Sequence, residues 1–207
     1  MTQKSGRARR DKVRTKVLSI VERQLRAGET FADISVGSLV AEAGISRTTF
    51  YVYFEDKTDL LRTWYAEITE VILDAAQHWW SLDGSATKAD LRAALEQIVD
   101  AYRPHPELMA ATHEAIGYDH DVRETVEDSM RQYVKGLREH IEAGQRAGFV
   151  DAELPTGETS YLLQWMAERG LPRMARAESQ SKYERLIDAY SSIVWNTLYA
   201  PARRTGT

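Results

Sequence analysis

Apolar residues recur every three or four positions along most of this chain, and no segment shows the strict alternation of a half-buried strand. Val13, Val17, Ile20, Val21 and Leu25 predict an amphipathic helix over about 9–27, ended by Gly28. Thr30 to Ile34 reads as a short extended connector. Ser35 is placed to cap a second helix whose buried face is Leu39, Val40 and Ala43, and Gly44 supplies the left-handed turn after it. Ile45 fills the corner and Ser46 caps a third helix running to about Phe54. Glu55, Asp56 and Lys57 form a brief break. A long fourth helix to about Leu82 carries Leu60, Leu61, Trp64, Ile68, Ile72 and Leu73.

Asp83 to Ala86 is a Gly/Ser segment with little apolar content. Thr87 and Asp90 have the spacing of a capping box that opens a helix to about Tyr102. Pro104 and Pro106 stop it, and Pro106 suits the first position of the next helix, which ends near Gly117. From Asp119 toward Gly148 the stripe Val122, Val126, Met130, Tyr133, Val134, Leu137 and Ile141 predicts a very long helix. Phe149 to Pro155 is a loop, and helices over about 156–174 and 181–199 follow. The pattern predicts an all-α protein of about nine helices. The first three helices, within residues 1–62, are compact and short, and those within residues 63–207 are long.

Composition supports a packed core: 43% of the 207 residues are hydrophobic and 28% charged. There is no cysteine, in keeping with a reducing cytoplasm. No apolar run follows the basic N-terminus as in a secretory signal, and none approaches membrane-spanning length. A soluble, cytoplasmic protein is expected. The net charge of −4 is unevenly spread: up to Arg62 the balance is +4, beyond it −8. Lys4, Arg7, Arg9, Arg10, Lys12, Arg14, Lys16, Arg23 and Arg26 crowd the start. A basic end on an acidic body suits a protein that meets a polyanion at that end, although a solvated basic tail has the same charge.

Chemistry concentrates between Ser35 and Phe54. Two short helices that cross steeply need a small residue, a residue free to take positive φ, and an apolar plug, supplied by Ala43, Gly44 and Ile45. Phe50 and Phe54, four apart, share the buried face of the third helix. Arg47, Thr48, Thr49, Tyr51, Val52 and Tyr53 are left outward, with the hydroxyls, cation and methyl groups that a helix in the major groove uses on phosphates and base edges. Singly, the tyrosines could be half-buried aromatics and the threonines first-turn residues. Their order is more specific, and Lys57 follows at the start of the next helix, where a phosphate can be met.

Ala-Gly-Ile-Ser-Arg-Thr-Thr-Phe-Tyr-Val-Tyr-Phe (43–54), followed by Lys57 and Leu60-Leu61, resembles the signature of TetR-family repressors, and the likeness extends over about Val13 to Trp64. Met166-Ala-Glu-Arg169 adds a looser resemblance to the ethionamide-repressor branch. The family resemblance implies three head helices on DNA, a fourth acting as lever, and a ligand-binding dimer body. It places DNA contacts at Arg47, Thr48, Thr49, Tyr51, Val52, Tyr53 and Lys57, with Tyr51, Tyr53 and Lys57 at phosphate-holding positions. Ser35, at the start of the second helix, is grouped with them.

The body offers Tyr102, Met130, Tyr133, Leu137, Gln164, Trp165 and Met166 as candidates for an apolar effector pocket, with a packed core as the alternative. Gln164 stands out as an amide in an apolar stripe. The branch resemblance implies an amide there and a second one where this chain has Ala167. Trp79 and Trp80 end the lever helix as packing residues or a pocket lid. Glu168 and Arg169 could pair, near a dimer contact or on the surface. Leu162, Leu163, Met166, Ile187, Tyr190, Ile193, Val194 and Leu198, with Ser191 and Ser192 between, give faces wider than one body needs, which predicts a homodimer and a palindromic double-stranded DNA operator. No pair of the five histidines lies four apart on one helix, and nothing calls for a metal or cofactor. An enzyme would need a phosphate-cradling loop, a nucleophile elbow or a ligand cluster, none of which is in the sequence. The other alternative is a helical interaction module whose basic end binds a membrane or an acidic partner.

Overall fold

The computed structural model describes the backbone of residues 2–205 and the side chains of residues 12–202. These residues form ten helices and no strand: α1 (Thr2–Arg26), α2 (Val36–Ala43), α3 (Arg47–Tyr53), α4 (Thr58–Trp80), α5 (Lys88–Tyr102), α6 (Pro106–Ala115), α7 (His120–Ala147), α8 (Thr156–Ala175), α9 (Gln180–Leu198) and α10 (Ala200–Thr205). The tenth was not expected. Pro201 has no N–H for the Thr197 carbonyl, so α9 stops, and the proline is accommodated in the first turn of α10, where that N–H is not needed. Pro172 lies inside α8, which nevertheless continues to Ala175. No described helix is long and apolar enough to cross a membrane.

The capping chemistry accounts for most of the boundaries. Thr87 and Asp90 form the reciprocal capping box, and Pro106 opens α6. Ser179, rather than a residue at 181, caps α9 by accepting from the Lys182 amide at 3.2 Å. The connector at 30–34 is a turn and not extended: the Asp33 amide donates to the Thr30 carbonyl at 3.1 Å, and the Thr30 hydroxyl to Asp33 at 2.6 Å. Phe31 and Ile34 are buried within that short segment, which an extended run of alternating side chains would not achieve.

The chain divides into two compact units. One runs up to Ala66 and takes in Glu107–Val126; the other comprises Glu67–Pro106 and the chain from Glu127 onward. In the first, α1 packs on α2 and α2 on α3 around Val17, Val21, Phe31, Leu39, Phe50 and Leu61, all buried. Ion pairs tie α6 and the start of α7 into this unit: Arg26 to Glu107 at 3.4 Å and Arg62 to Asp121 at 2.6 Å.

In the second unit α5 packs against α8 and α9. Arg92 reinforces this by meeting Asp188 at 2.8 Å and also Glu184 on α9. Gly136 on α7 lies under the indole of Trp80: a Cβ there would stand 2.4 Å from the ring, so only glycine lets the two approach. His140 is buried in a chain of four groups. Its Nδ1 lies 2.8 Å from the Trp80 carbonyl and its Nε2 2.7 Å from the Tyr199 hydroxyl, which accepts from Trp79 Nε1 at 2.9 Å. A carbonyl can only accept and an indole N–H only donate. The imidazole therefore carries its proton on Nδ1, and the Tyr199 hydroxyl donates to Nε2. Burial pushes the His140 pKa down, opposed by the Trp80 carbonyl, and the neutral form is the one this chain satisfies.

Candidate functional site

α2 and α3 are eight and seven residues long, short of the ~12–15 residues that an isolated helix needs in water. Both exist because they pack. Ser35 and Ser46 cap them, each Oγ accepting at 3.0 Å, from Ser38 and Thr49 respectively. Gly44 between them has φ 64° and sends its N–H back to the Val40 and Ala41 carbonyls. Phe50 is fully buried, its ring 5.1 Å from that of Phe54 and in edge contact with Tyr51. These residues fix which side of α3 faces out.

On that side Val52 is 68% and Tyr51 56% exposed. Arg47 and Thr48 are exposed, and Thr49 and Tyr53 half-buried. Six of the eight residues expected on DNA thus share one short helix. Three of these six also meet their own unit: the Thr49 hydroxyl lies 2.9 Å from Ser46 Oγ, the Tyr51 ring packs edge-on against Phe50, and the Arg47 guanidinium lies back over α2, 3.1 Å from where a Cβ on Gly37 would be. Ser35 is exposed at the start of α2 and holds its cap. Along α1, Arg14 donates to the Thr63 carbonyl at 3.1 Å and Arg23 pairs with Glu42, so part of the basic charge there is structural. Lys12 and Lys16 are exposed; the side chains of Lys4, Arg7, Arg9 and Arg10 lie outside the described residues.

Lys57 stands apart from the other seven. Its Nζ donates to the carbonyls of Phe31, Ala32 and Ile34 at 2.7, 2.9 and 2.8 Å, and sits 4.8 Å over the Phe31 ring. An ammonium has three protons. All three are engaged, so here Lys57 holds the turn between α1 and α2 and has no proton left for a phosphate. Three carbonyls within four residues converge on one point only because 30–34 is a turn. Burial lowers the Lys57 pKa, with the Asp33 carboxylate opposing. Lys57→Met, which keeps the stem and removes the charge, is expected to destabilise the protein by about 1.5–3 kcal/mol, the scale of hydrogen bonds to a charged group. Urea unfolding checks this; an unchanged midpoint would mean that the turn needs no ammonium.

The body contains a small cavity of about 20 Å³ lined by residues of α4, α5, α7 and α8, and an outer groove of about 550 Å³ between α7 and α8. Of the residues expected in a pocket, Tyr102, Tyr133 and Gln164 line the cavity, while Met130 and Trp165 line the groove. Leu137 is buried core and Met166 half-buried, and neither lines these two spaces. The cavity also takes Ile72, Ala76, Trp79 and Trp80 from α4, and Ala167 one turn beyond Gln164. Those α4 residues carry a helical stripe that continues Ile68 and Ile72, a signal already in the sequence. Glu168 and Arg169 pair at 3.1 Å. Of the apolar face assigned to dimerisation, Leu163, Ile187, Tyr190, Val194 and Leu198 are taken up by the chain's own core, while Leu162 and Ile193 remain exposed with Trp165 and Leu186.

Residues 24–63 match the family described as bacterial regulatory proteins, tetR family. Residues 91–200, more than half of the chain, match the family described as the C-terminal domain of transcriptional regulator EthR. The chain is a TetR-family transcriptional regulator with an EthR-type body. This regulator is 24% identical over 202 residues to the HTH-type transcriptional regulator EthR of Mycolicibacterium smegmatis, covering 95% of this chain and 91% of that one. It is 27% identical over 174 residues to EthR of Mycobacterium tuberculosis, covering 83% and 81%. Among solved structures, a TetR-family regulator from Pectobacterium atrosepticum superposes with a TM-score of 0.62 at 20% identity, over 93% of this chain and 97% of that one. The regulator is thus a DNA-binding protein of the helix-turn-helix class.

Proposed function

We propose that the regulator is a cytoplasmic repressor that binds a palindromic double-stranded operator as a homodimer and is released when a small apolar effector enters its body. Residues 1–62 form the reading head in this scheme, and residues 63–207 the sensing and dimerising body. The observation that carries it is the division of α3: one side is fixed by Phe50, and the other presents Arg47, Thr48, Tyr51 and Val52 to solvent. Val52 has no packing role to explain its exposure, and Tyr51, whose ring edge meets Phe50, still leaves more than half of its side chain in solvent, whereas a groove-inserted helix uses a phenol on phosphate and a methyl on thymine. Leu162, Leu186 and Ile193 support the dimer, because exposed apolar side chains of this kind on α8 and α9 call for a cover. The cavity lined by Tyr102, Tyr133 and Gln164 supports the effector.

Selection of bound duplexes from a random pool should return a site with two-fold symmetry, its half-sites one helical turn or a multiple apart. On that site Tyr51→Ala is expected to lower affinity about tenfold to a hundredfold, the scale of one lost recognition contact, with helicity and dimerisation unchanged. Full affinity in the variant, or binding carried by basic charge alone with no preferred sequence, overturns the reading.

A further inference from the structure

Tyr133 and Val134 are neighbours on α7, as are Gln164 and Trp165 on α8. In each pair the first residue lines the small cavity and the second the outer groove. The two spaces are therefore separated by the thickness of the α7–α8 contact. One bond crosses it: Gln164, a cavity residue, donates through Nε2 to Sδ of Met130, a groove residue, at 3.8 Å. We infer that the groove between α7 and α8 is the way into the cavity and that the Met130–Gln164 contact is its door. This rests on the reading that the body holds an effector.

Several observations favour a door over a fixed wall. The cavity, at about 20 Å³, has room for about one water molecule and is far below the ~300–1,000 Å³ of a small-molecule site. Any effector has to displace part of the lining. Methionine is the most adaptable of apolar side chains, and a thioether is a weak acceptor, so the amide loses little when the pair parts. Outside, Tyr161 and Trp165 form an aromatic pair with ring centroids 4.9 Å apart, a surface on which a flat apolar molecule can first settle.

The lining also states what chemistry passes. No carboxylate, ammonium or guanidinium borders the cavity. The basic residues along the groove are engaged on their own helix: Arg131 by Asp128, Lys135 by Glu139 at 3.9 Å and Arg138 by Glu142 at 2.7 Å. An anion finds no prepared partner. Trp80 borders the cavity, and its Nε1–H is buried without an acceptor. With the long N–H···S contact of Gln164, two donors there lack a strong acceptor. The ligand class is a neutral, largely apolar molecule carrying a hydrogen-bond acceptor such as a carbonyl.

The neutral naphthyl ketone prodan has this chemistry and reports an apolar environment by its emission. Stopped-flow mixing with the full-length protein separates a passage from a binding site, because a passage changes arrival and departure by the same factor. Met130→Ala is expected to raise both rates about tenfold and Val134→Trp, which fills the groove, to lower both about tenfold, with the equilibrium affinity nearly constant. Trp80→Phe, which deletes the orphan donor, is expected to weaken prodan about fivefold through its departure rate. Rates indifferent to positions 130 and 134, an effect of Val134→Trp on affinity, or no binding to any variant overturns the inference. Operator affinity is measured separately. Release of DNA with rates indifferent to 130 and 134 leaves the effector reading standing without the door, and door-dependent rates without release of DNA leave the door standing without that reading.

Discussion

Phe50→Ala is expected to destabilise the head by about 3–5 kcal/mol, the cost of truncating a fully buried phenylalanine. Phe50 has no exposed surface, and its ring meets Phe54 on one side and the edge of Tyr51 on another. A change of that size is a large part of the ~5–15 kcal/mol that holds an ordinary domain together. α2 and α3 have no independent stability to fall back on, since each is under three turns long. The variant should lose operator binding together with part of its helical signal, and the urea midpoint should move down. Val52→Ala is the counterpart: with that side chain 68% exposed, stability should stay within about 0.5 kcal/mol while DNA affinity responds. A Phe50→Ala protein that unfolds within 1 kcal/mol of the wild type would mean that Phe50 does not hold α3 in place.

His140→Ala should have an effect of similar size in the other unit. It removes the donor to the Trp80 carbonyl and the acceptor of the Tyr199 hydroxyl together. Each buried polar group left without a partner costs about 1–3 kcal/mol, so the loss should reach about 3–5 kcal/mol, and His140→Gln should recover part of it. The histidine also sets a direction with pH. Its folded pKa lies below the ordinary value near 6.5. Above that value both folded and unfolded chains hold it neutral and it adds no pH dependence. As pH falls below it, the unfolded chain takes up a proton that the folded chain refuses, and stability declines toward the lowered folded pKa. The slope from this residue is at most about 1.4 kcal/mol per pH unit. Urea titrations between pH 7.5 and 5.5 should show a steeper decline for the wild type than for His140→Gln. Parallel curves would place the charge-free state of His140 in doubt.

Much of this was legible from the order of residues, because helix ends are local chemistry. Ser35, Gly44, Ser46, the Thr87–Asp90 pair and Pro106 act within one turn of themselves, and each marks the boundary it was expected to mark. What escaped notice depends on residues far apart in the chain. Lys57 reaches back 23 to 26 positions to three carbonyls, and only the turned course of 30–34 brings them together. The stripe Met130, Tyr133, Val134 and Leu137 was seen as a single face. It is wide enough to be divided, with Tyr133 inside and Met130 and Val134 on the groove. His140 looked like one of five scattered histidines, yet it follows Tyr133 and Leu137 at helical spacing, and that register was the sign of its burial. α10 follows from a single proline, Pro201.

The division of α3 bears on how such a protein can change over generations. On the proposed reading, stability and recognition rest largely on different side chains of the same seven residues. Thr48 and Val52 can then be exchanged with little penalty in folding, so new operator preferences lie within single steps that selection against misfolding does not block. Tyr51 is less free, since its ring edge meets the buried Phe50. Drift in the DNA site recognised by descendants of this chain should therefore run ahead at 48 and 52 and lag at 51.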